Sequence, residues 1–467
     1  MKYLRYFDTH ADYLDYMRSD SMVAPNVCYC DDIADVHYNE APYVIAKYNV
    51  TSTSSATTLC TSLVNNIKKM YIDGVEQGQP ATSYTFSTTG EHTVKYELIN
   101  GTTLSDGSFA SCPAMTSVNI PNTVTTIGTA AFAYCNGLTD IKLSNRVTGI
   151  GTAMFQSCSG LTSINIPNSV TEIRTAAFIN CSGLTSVKIG NNVATIGNEA
   201  FENCIGLTSI TIPDSVTTLG MSAFTKCYSL AYAKIGNGVT TIDSYTFQNC
   251  SGLTSVKFGN NLGIISGYAF QNCSGLTYIN IPDSVTTIGI SAFLNCSSLT
   301  SARLGSGLTE LAQSAFYNCY SLTSINIPES VSGIGKYCFT SCRSLERIDI
   351  PNASIGDDAF EYCSGLTHVN IGNGTTTIGQ HAFMVCSSLT SVYIGSGVTS
   401  LNNQVFAYCS ELISVTITAT TPPSLNGYDV FYNNASGRKI YVPAASVNAY
   451  KAASTWSSYV NDIEPIP

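Results

Sequence analysis

A phenylalanine and a cysteine three residues apart recur along this chain every 23 residues. The phenylalanines are Phe109, Phe132, Phe155, Phe178, Phe201, Phe224, Phe247, Phe270, Phe293, Phe316 and Phe339. A two-residue deletion near Pro351 shifts the phase, and the series resumes at Phe360, Phe383 and Phe406. The matching cysteines run from Cys112 to Cys409 in the same register. A period in this range leaves a chain few choices. One unit cannot bury its own apolar surface, so units must stack into a solenoid whose neighbours share a continuous core.

One unit shows how the stacking works. In Leu161-Thr-Ser-Ile164-Asn-Ile166-Pro167, Ile164 and Ile166 alternate with polar Asn165, which predicts a short strand with one buried face. Pro167 lacks an N–H and suits the strand's end. Asn168 and Ser169 make a turn, and Val170 and Ile173 return to the interior. A glycine often follows that isoleucine, as at Gly128, Gly151, Gly197 and Gly289, and predicts a sharp bend. Ala177, Phe178 and Cys181 have the spacing of a short helical or 3₁₀ turn with one side inward. Some fourteen such coils, with strands stacked in parallel, give a rod or arc of about 65–70 Å. Strand endings alternate in part between Ile-Pro (Ile166-Pro167, Ile212-Pro213, Ile281-Pro282) and apolar-Gly (Ile189-Gly190, Ile235-Gly236, Leu304-Gly305), as duplication of a two-coil unit would leave them.

The pattern I-P-x-S-V-T-x-I-G-x-x-A-F-x-x-C-x-x-L, matched many times between about Asp106 and Ile417, resembles the BspA-like, Treponema-type branch of the leucine-rich repeats. The run Ile440-Tyr-Val-Pro-Ala-Ala-Ser-Val-Asn-Ala-Tyr-Lys451 resembles the ending of such proteins. The resemblance implies a surface protein that adheres to host or neighbouring cells.

Four regions are expected. Residues 1–40 form a tyrosine-rich head with eight acids against three bases, so half of the chain's net charge of −10 sits there. Residues 9–18 fit one short helix, and the head either packs on its own chain or attaches it to a larger assembly. Residues 41–103 read as a small β domain capping the first coil: a strand at Tyr43–Val50, a hairpin turn at Asp73-Gly74, and strands at 84–87 and 92–99 joined across Thr88-Thr89-Gly90. The last two resemble the closing hairpin of immunoglobulin-like and PKD-like sandwiches. The runs P-N-V-C-Y-C-D-D and V-H-Y-N resemble openings of gut bacteriophage tail or fibre proteins. Residues 104–417 are the repeat solenoid. Residues 418–467 are a C-terminal cap with a strand at 439–443, a helix at 444–454 and Trp456, the only tryptophan.

Composition narrows the function. Only 11% of residues are charged and the balance is acidic, which argues against a nucleic-acid partner. The opening Met-Lys-Tyr-Leu-Arg-Tyr-Phe-Asp8 is not that of a signal peptide, since Asp8 and Asp12 interrupt any apolar core, and no stretch is long enough to span a membrane. That departure from an exported BspA-like protein leaves two locations open, a phage virion and a bacterial cell surface. Of the 18 cysteines, fourteen belong to the ladder. A cysteine at one buried point of every coil reads as a free, weakly donating apolar filler. Cys28 and Cys30, with His37 nearby, are too few ligands for a metal site. No nucleophile, phosphate-loop, zinc-hydrolase or calcium-loop motif occurs, so neither catalysis nor a cofactor is expected.

What a stacked repeat does offer is one long face. The outward strand position gives a column that includes Lys142, Lys188, Lys234, Lys257, Arg303 and Tyr393, and the position two before it adds Tyr232, Tyr278, Arg347 and His368. These ten residues are the candidate site for a cell-surface glycan or protein, an anionic polysaccharide or an acidic protein face in particular. In a virion, residues 1–103 would contact other particle proteins. Two other readings stay open: a solvated face whose lysines discourage edge association, and a spacer whose ends do the work.

Overall fold

The computed structural model describes residues 43–467. The helix expected at 9–18, Cys28, Cys30, His37 and the phage-like runs lie outside the described residues. Within them the chain winds into a parallel β-solenoid of about sixteen coils, the last two belonging to the C-terminal end.

Each coil contributes to three ladders. In the first, Ser163–Asn165 pairs in parallel with Ser186–Lys188, residue against residue one period on. Ile164 points inward while Ser163 and Asn165 stay exposed, as the alternation requires. In the second, Glu172–Ile173 pairs with Thr195–Ile196. Nine strands of this ladder form one continuous sheet from Thr241–Ile242 to Ser424–Asn426.

The third ladder combines the expected 3₁₀-type turn with bonds between coils. Ala176, Phe178 and Asn180 donate their N–H groups to Asn198, Ala200 and Glu202 of the next coil, at 2.9, 2.7 and 2.9 Å. Between them Ala177, Ile179 and Cys181 donate three residues back within their own coil, at 3.3, 3.1 and 3.1 Å. A helix would spend every donor inside the coil; here alternate donors join neighbours. The geometry needs left-handed residues at two points per coil, such as Ala176 (φ +56°) and Asn180 (φ +62°). Asparagine tolerates that region better than most side chains. Several make a ladder of their own: Asn272 donates to Asn249 at 2.8 Å, Asn295 to Asn272 at 2.8 Å and Asn318 to Asn295 at 2.9 Å.

The repeat glycines correct a second expectation. Gly128, Gly151, Gly197 and Gly289 lie outside the left-handed region, so no special bend calls for them. What excludes a side chain is the neighbouring coil. A Cβ on Gly197 would stand 2.7 Å from the Thr175 nitrogen, and one on Gly289 2.5 Å from the Gly267 nitrogen. Close stacking also explains why Gly190 follows Pro167 one period on, since a Cβ there would meet the Pro167 carbonyl at 2.6 Å.

The core is a column of phenylalanine rings. From Phe109 to Phe406 successive centroids are 5.0–5.5 Å apart with interplanar angles of 15° or less. That is offset stacking, which aromatic quadrupoles favour over a direct sandwich. Beside it run the cysteines, all sixteen described ones free and buried. Each ladder thiol from Cys135 to Cys409 donates to a phenylalanine carbonyl of the preceding coil, as Cys135 to Phe109 and Cys158 to Phe132, both at 3.0 Å. Burial pushes the Cys181, Cys250 and Cys296 thiols up to about 12.

Both ends of the ring column are closed by a tyrosine set edge-on. At the N-terminal end Tyr96 meets Phe109 at 5.5 Å and 70°. Tyr96 lies on β6 (Gly90–Leu98), which pairs antiparallel with β1 (Tyr43–Val50) and β3 (Ile67–Ile72). β1 in turn pairs antiparallel with Met115–Asn119 of the first coil, so one six-stranded sheet runs from the N-terminal strands into the solenoid. The turn between β3 and β4 (Val75–Glu76) uses Asp73 and Gly74 at φ +49° and +85°, the twist a tight hairpin needs. The hairpin expected across Thr88-Thr89-Gly90 does not pair as such. β5 (Ser83–Tyr84) pairs with β2 (Thr57–Thr58), while β6 is taken on both sides by longer strands. A two-residue strand offers β6 little beside full-length β1.

At the other end Tyr459 meets Phe431 at 5.4 Å and 90°. Lys439–Val442 and Ile463–Pro465 add the last two strands, with a helix at Val447–Ala452 between them. Trp456 is fully buried, its Nε1 donating to the Pro423 carbonyl at 2.8 Å, so it is a core residue of this end and offers no ligand platform.

Candidate binding face

All ten candidate residues sit exposed on the outward side of the first ladder. Alternation puts them there: Ile141, Ile210, Ala233 and Ile279 between them are buried. The ladder does not gather them into one pocket; it spreads them along the face in three stretches.

Lys142, Lys188, Lys234 and Lys257 make a basic row. Thr211 pairs with Lys234, and Lys234 lies directly beside Lys257 in the parallel register. Among the described residues none of these four lysines forms an ion pair. Like charges on adjacent rungs repel and destabilise the pair. Tyr232 flanks the row, on the strand that carries Lys234.

The middle stretch is engaged with itself. Arg303 reaches both carboxylate oxygens of Asp283 at 3.0 and 3.2 Å and the Asn280 side-chain oxygen at 3.3 Å. Asp283 is held below the usual carboxylate range, first by the Ser306 N–H and then by Arg303. A shallow hollow of about 530 Å³ opens beside this pair, lined also by Asn326 and Glu329. Tyr278 stands half-exposed one coil away, opposite Ser301. In the third stretch Arg347 pairs with His368, and Asn370 with Tyr393. His368 Nδ1 lies 2.9 Å from its neighbour Thr367 Oγ1. Among the described residues no group of three or more His, Cys, Asp or Glu side chains is placed to hold a metal, and no helix is long and apolar enough to cross a membrane.

Reading along the strands misses another surface. The turn edge, where the third ladder runs, carries exposed tyrosines at Tyr134, Tyr228, Tyr320, Tyr362 and Tyr408. Tyr245 and Tyr268 stack there at 5.1 Å. A signal was present, since these tyrosines all fall within a few residues of the repeating Phe and Cys. What hid it was the expectation of a helical turn, which gives no outward column at those positions.

Comparison with known proteins agrees with this architecture. A family model described as a BspA type leucine rich repeat region matches residues 102–231, 217–346 and 332–455. A leucine-rich repeat protein from Bacteroides ovatus is 28% identical, with 82% of this chain and 90% of that one covered and a TM-score of 0.61. A leucine rich cell surface protein from Faecalibacterium prausnitzii is 26% identical, over 69% of this chain and 84% of that one, with a TM-score of 0.30. The leucine rich repeat protein of T. pallidum is 23% identical, over 50% and 85%, with a TM-score of 0.26. No curated protein matches. The repeat matches overlap and run without a break from residue 102 to 455, and on that ground the chain belongs to the BspA-type leucine-rich repeat family.

Proposed function

We propose that this chain is a non-enzymatic binding protein whose first-ladder face engages an anionic cell-surface glycan or an acidic protein surface. The observation that carries it is the row from Lys142 to Lys257, and above all Lys234 beside Lys257 with no carboxylate among the described residues pairing either one. Adjacent like charges cost stability that an external anion would relieve. The chain as a whole is acidic, so attraction to a polyanion has to come from a local row and not from net charge. Arg347, His368, Tyr393, Tyr232 and Tyr278 extend the same contact; Arg303, bound to Asp283, contributes least.

Two settings fit this role. In one the protein is a bacterial surface adhesin, which family membership supports. In the other it decorates a phage particle and meets the host surface, anchored through residues 1–103; the head sequence supports that reading. Quantitative peptide mass spectrometry on washed bacterial envelopes and on purified particles separates them, because stoichiometric peptides belong to only one fraction. The face itself is tested by heparin retention and cell binding of the triple variant Lys188→Gln, Lys234→Gln, Lys257→Gln. We expect both to fall at least tenfold, and wild-type retention to weaken steeply with salt. Unchanged cell binding by a folded triple variant would leave the solenoid a spacer.

A further inference from the structure

The asparagine ladder on the turn edge stops at Asn318. The next rung at that position is Ser341 and the one after is Tyr362, both left-handed at φ +63° and +59°. Serine is too short to reach Asn318, so the amide bridge that closes the edge between earlier coils is missing. A cavity of about 460 Å³ opens at this point. Such a volume falls within the roughly 300–1,000 Å³ of small-molecule sites.

Its walls are Tyr317, Tyr337 and Tyr362, with Arg343 and Glu361 at the rim and Ser341 at the base. The floor is rigid backbone. Tyr337 donates to the Asp357 carbonyl at 3.0 Å, Ser341 to Glu361 at 2.8 Å and Tyr362 to Met384 at 3.0 Å. Buried Thr340 ties the floor down through its hydroxyl, 2.5 Å from the Asp358 carbonyl. The three wall rings do not stack on one another, unlike Tyr245 and Tyr268 a few coils earlier; Lys336 lies over the Tyr337 ring at 4.7 Å, while the Tyr317 and Tyr362 rings have no aromatic or cationic partner among the described residues. Arg343 leans over Tyr320 at 5.2 Å, and neither its guanidinium nor the Glu361 carboxylate has a hydrogen-bonded side-chain partner among the described residues. Burial, and then the charge of Asp358, lifts the Glu361 carboxyl above its ordinary range.

From these groups we infer that the cavity between Tyr337 and Tyr362 is a second binding site, distinct from the lysine face, that takes a pyranose residue of a glycan. A pyranose has an apolar C–H face that lies against an aromatic ring, and a rim of hydroxyls. The Tyr317 and Tyr362 faces meet the first requirement. A carboxylate that accepts and a guanidinium fork that donates meet the second.

The test uses the full chain and saturation-transfer NMR with four free disaccharides: chitobiose, N-acetyllactosamine, maltose and mannobiose. At least one should bind, and Tyr362→Ala should weaken it at least tenfold. Ser341→Asn supplies the missing rung of the ladder, so it should close the cavity, abolish binding and leave the melting temperature unchanged or higher. The triple lysine variant should bind that disaccharide as the wild type does, which keeps this site separate from the strand face. Absence of binding by all four sugars, or full binding by folded Ser341→Asn, would overturn the inference.

Discussion

The first-ladder face and the turn edge of this solenoid are built on the same 23-residue register and differ in almost everything they display. On the strand face extended backbone points every second side chain outward, and the column holds Lys, Asn, Thr and Ser on flexible stems. On the turn edge left-handed residues recur twice per coil, and their columns hold chiefly Asn, Tyr, Ser and Ala, with Glu199, Lys226, Asp358 and His381 among them. The strand face offers a row of charge, with scattered tyrosines and one shallow hollow beside Arg303. The turn edge offers rigid aromatic faces and, where its asparagine ladder ends, a cavity. One repeat therefore yields two surfaces of different chemistry.

The largest way to break that comparison is to remove what both surfaces share. Phe247 lies fully buried between Phe224 and Phe270 at 5.4 and 5.3 Å. Phe247→Ala should cost about 3–5 kcal/mol, seen as a lower denaturant midpoint, with both surfaces lost together. Gly190→Ala should cost about 1–3 kcal/mol, because the new Cβ must displace the Pro167 carbonyl. It should loosen amide protection on the strand side between those two coils more than on the turn side. Cys250→Ala removes a donor 3.2 Å from the Phe224 carbonyl and should cost about 1 kcal/mol by thermal melting. With that thiol pushed up to about 12, iodoacetamide near neutral pH should label it only after unfolding, by mass spectrometry.

The smallest effect concerns the N-terminal strands. His92 is raised above its ordinary value, chiefly by its hydrogen bond to Asp73 at 2.7 Å, with burial opposing. A raised histidine stabilises the fold fully below its unfolded value, and the gain is lost as pH rises through the folded one. The melting temperature should thus fall slightly from about pH 6 to about pH 8, and His92→Gln should flatten that slope. Neither binding surface should respond.

Much of the architecture was legible because the repeat states it many times. Phe178 and Cys181 announce a buried column, and Ile164-Asn165-Ile166 announces which strand side faces out. The turn edge was not legible in the same way. Three-residue spacing at Ala177, Phe178 and Cys181 is shared by a helical turn and by the observed weave of local and inter-coil hydrogen bonds. Only the destination of each N–H distinguishes them, and that depends on the neighbouring coil. Gly197 misled for a related reason: glycine reads as freedom of φ, whereas here it reflects the distance to Thr175 in the coil before. The hairpin at Thr88-Thr89-Gly90 failed because turn residues name a reversal but not a partner, and β1 was the longer partner available for β6.

The sequence by itself determined the period, the inward residues and the order of the outward columns, since these follow from spacing along one coil. Only the tertiary structure decided what lies beside what. It set Lys234 next to Lys257, closed the phenylalanine column with Tyr96 and Tyr459, and left a cavity where Ser341 interrupts the asparagine ladder. Those are contacts between neighbouring layers, between residues a dozen or more positions apart. They are fixed by how closely backbones stack and by where each hydrogen-bond donor finds its acceptor.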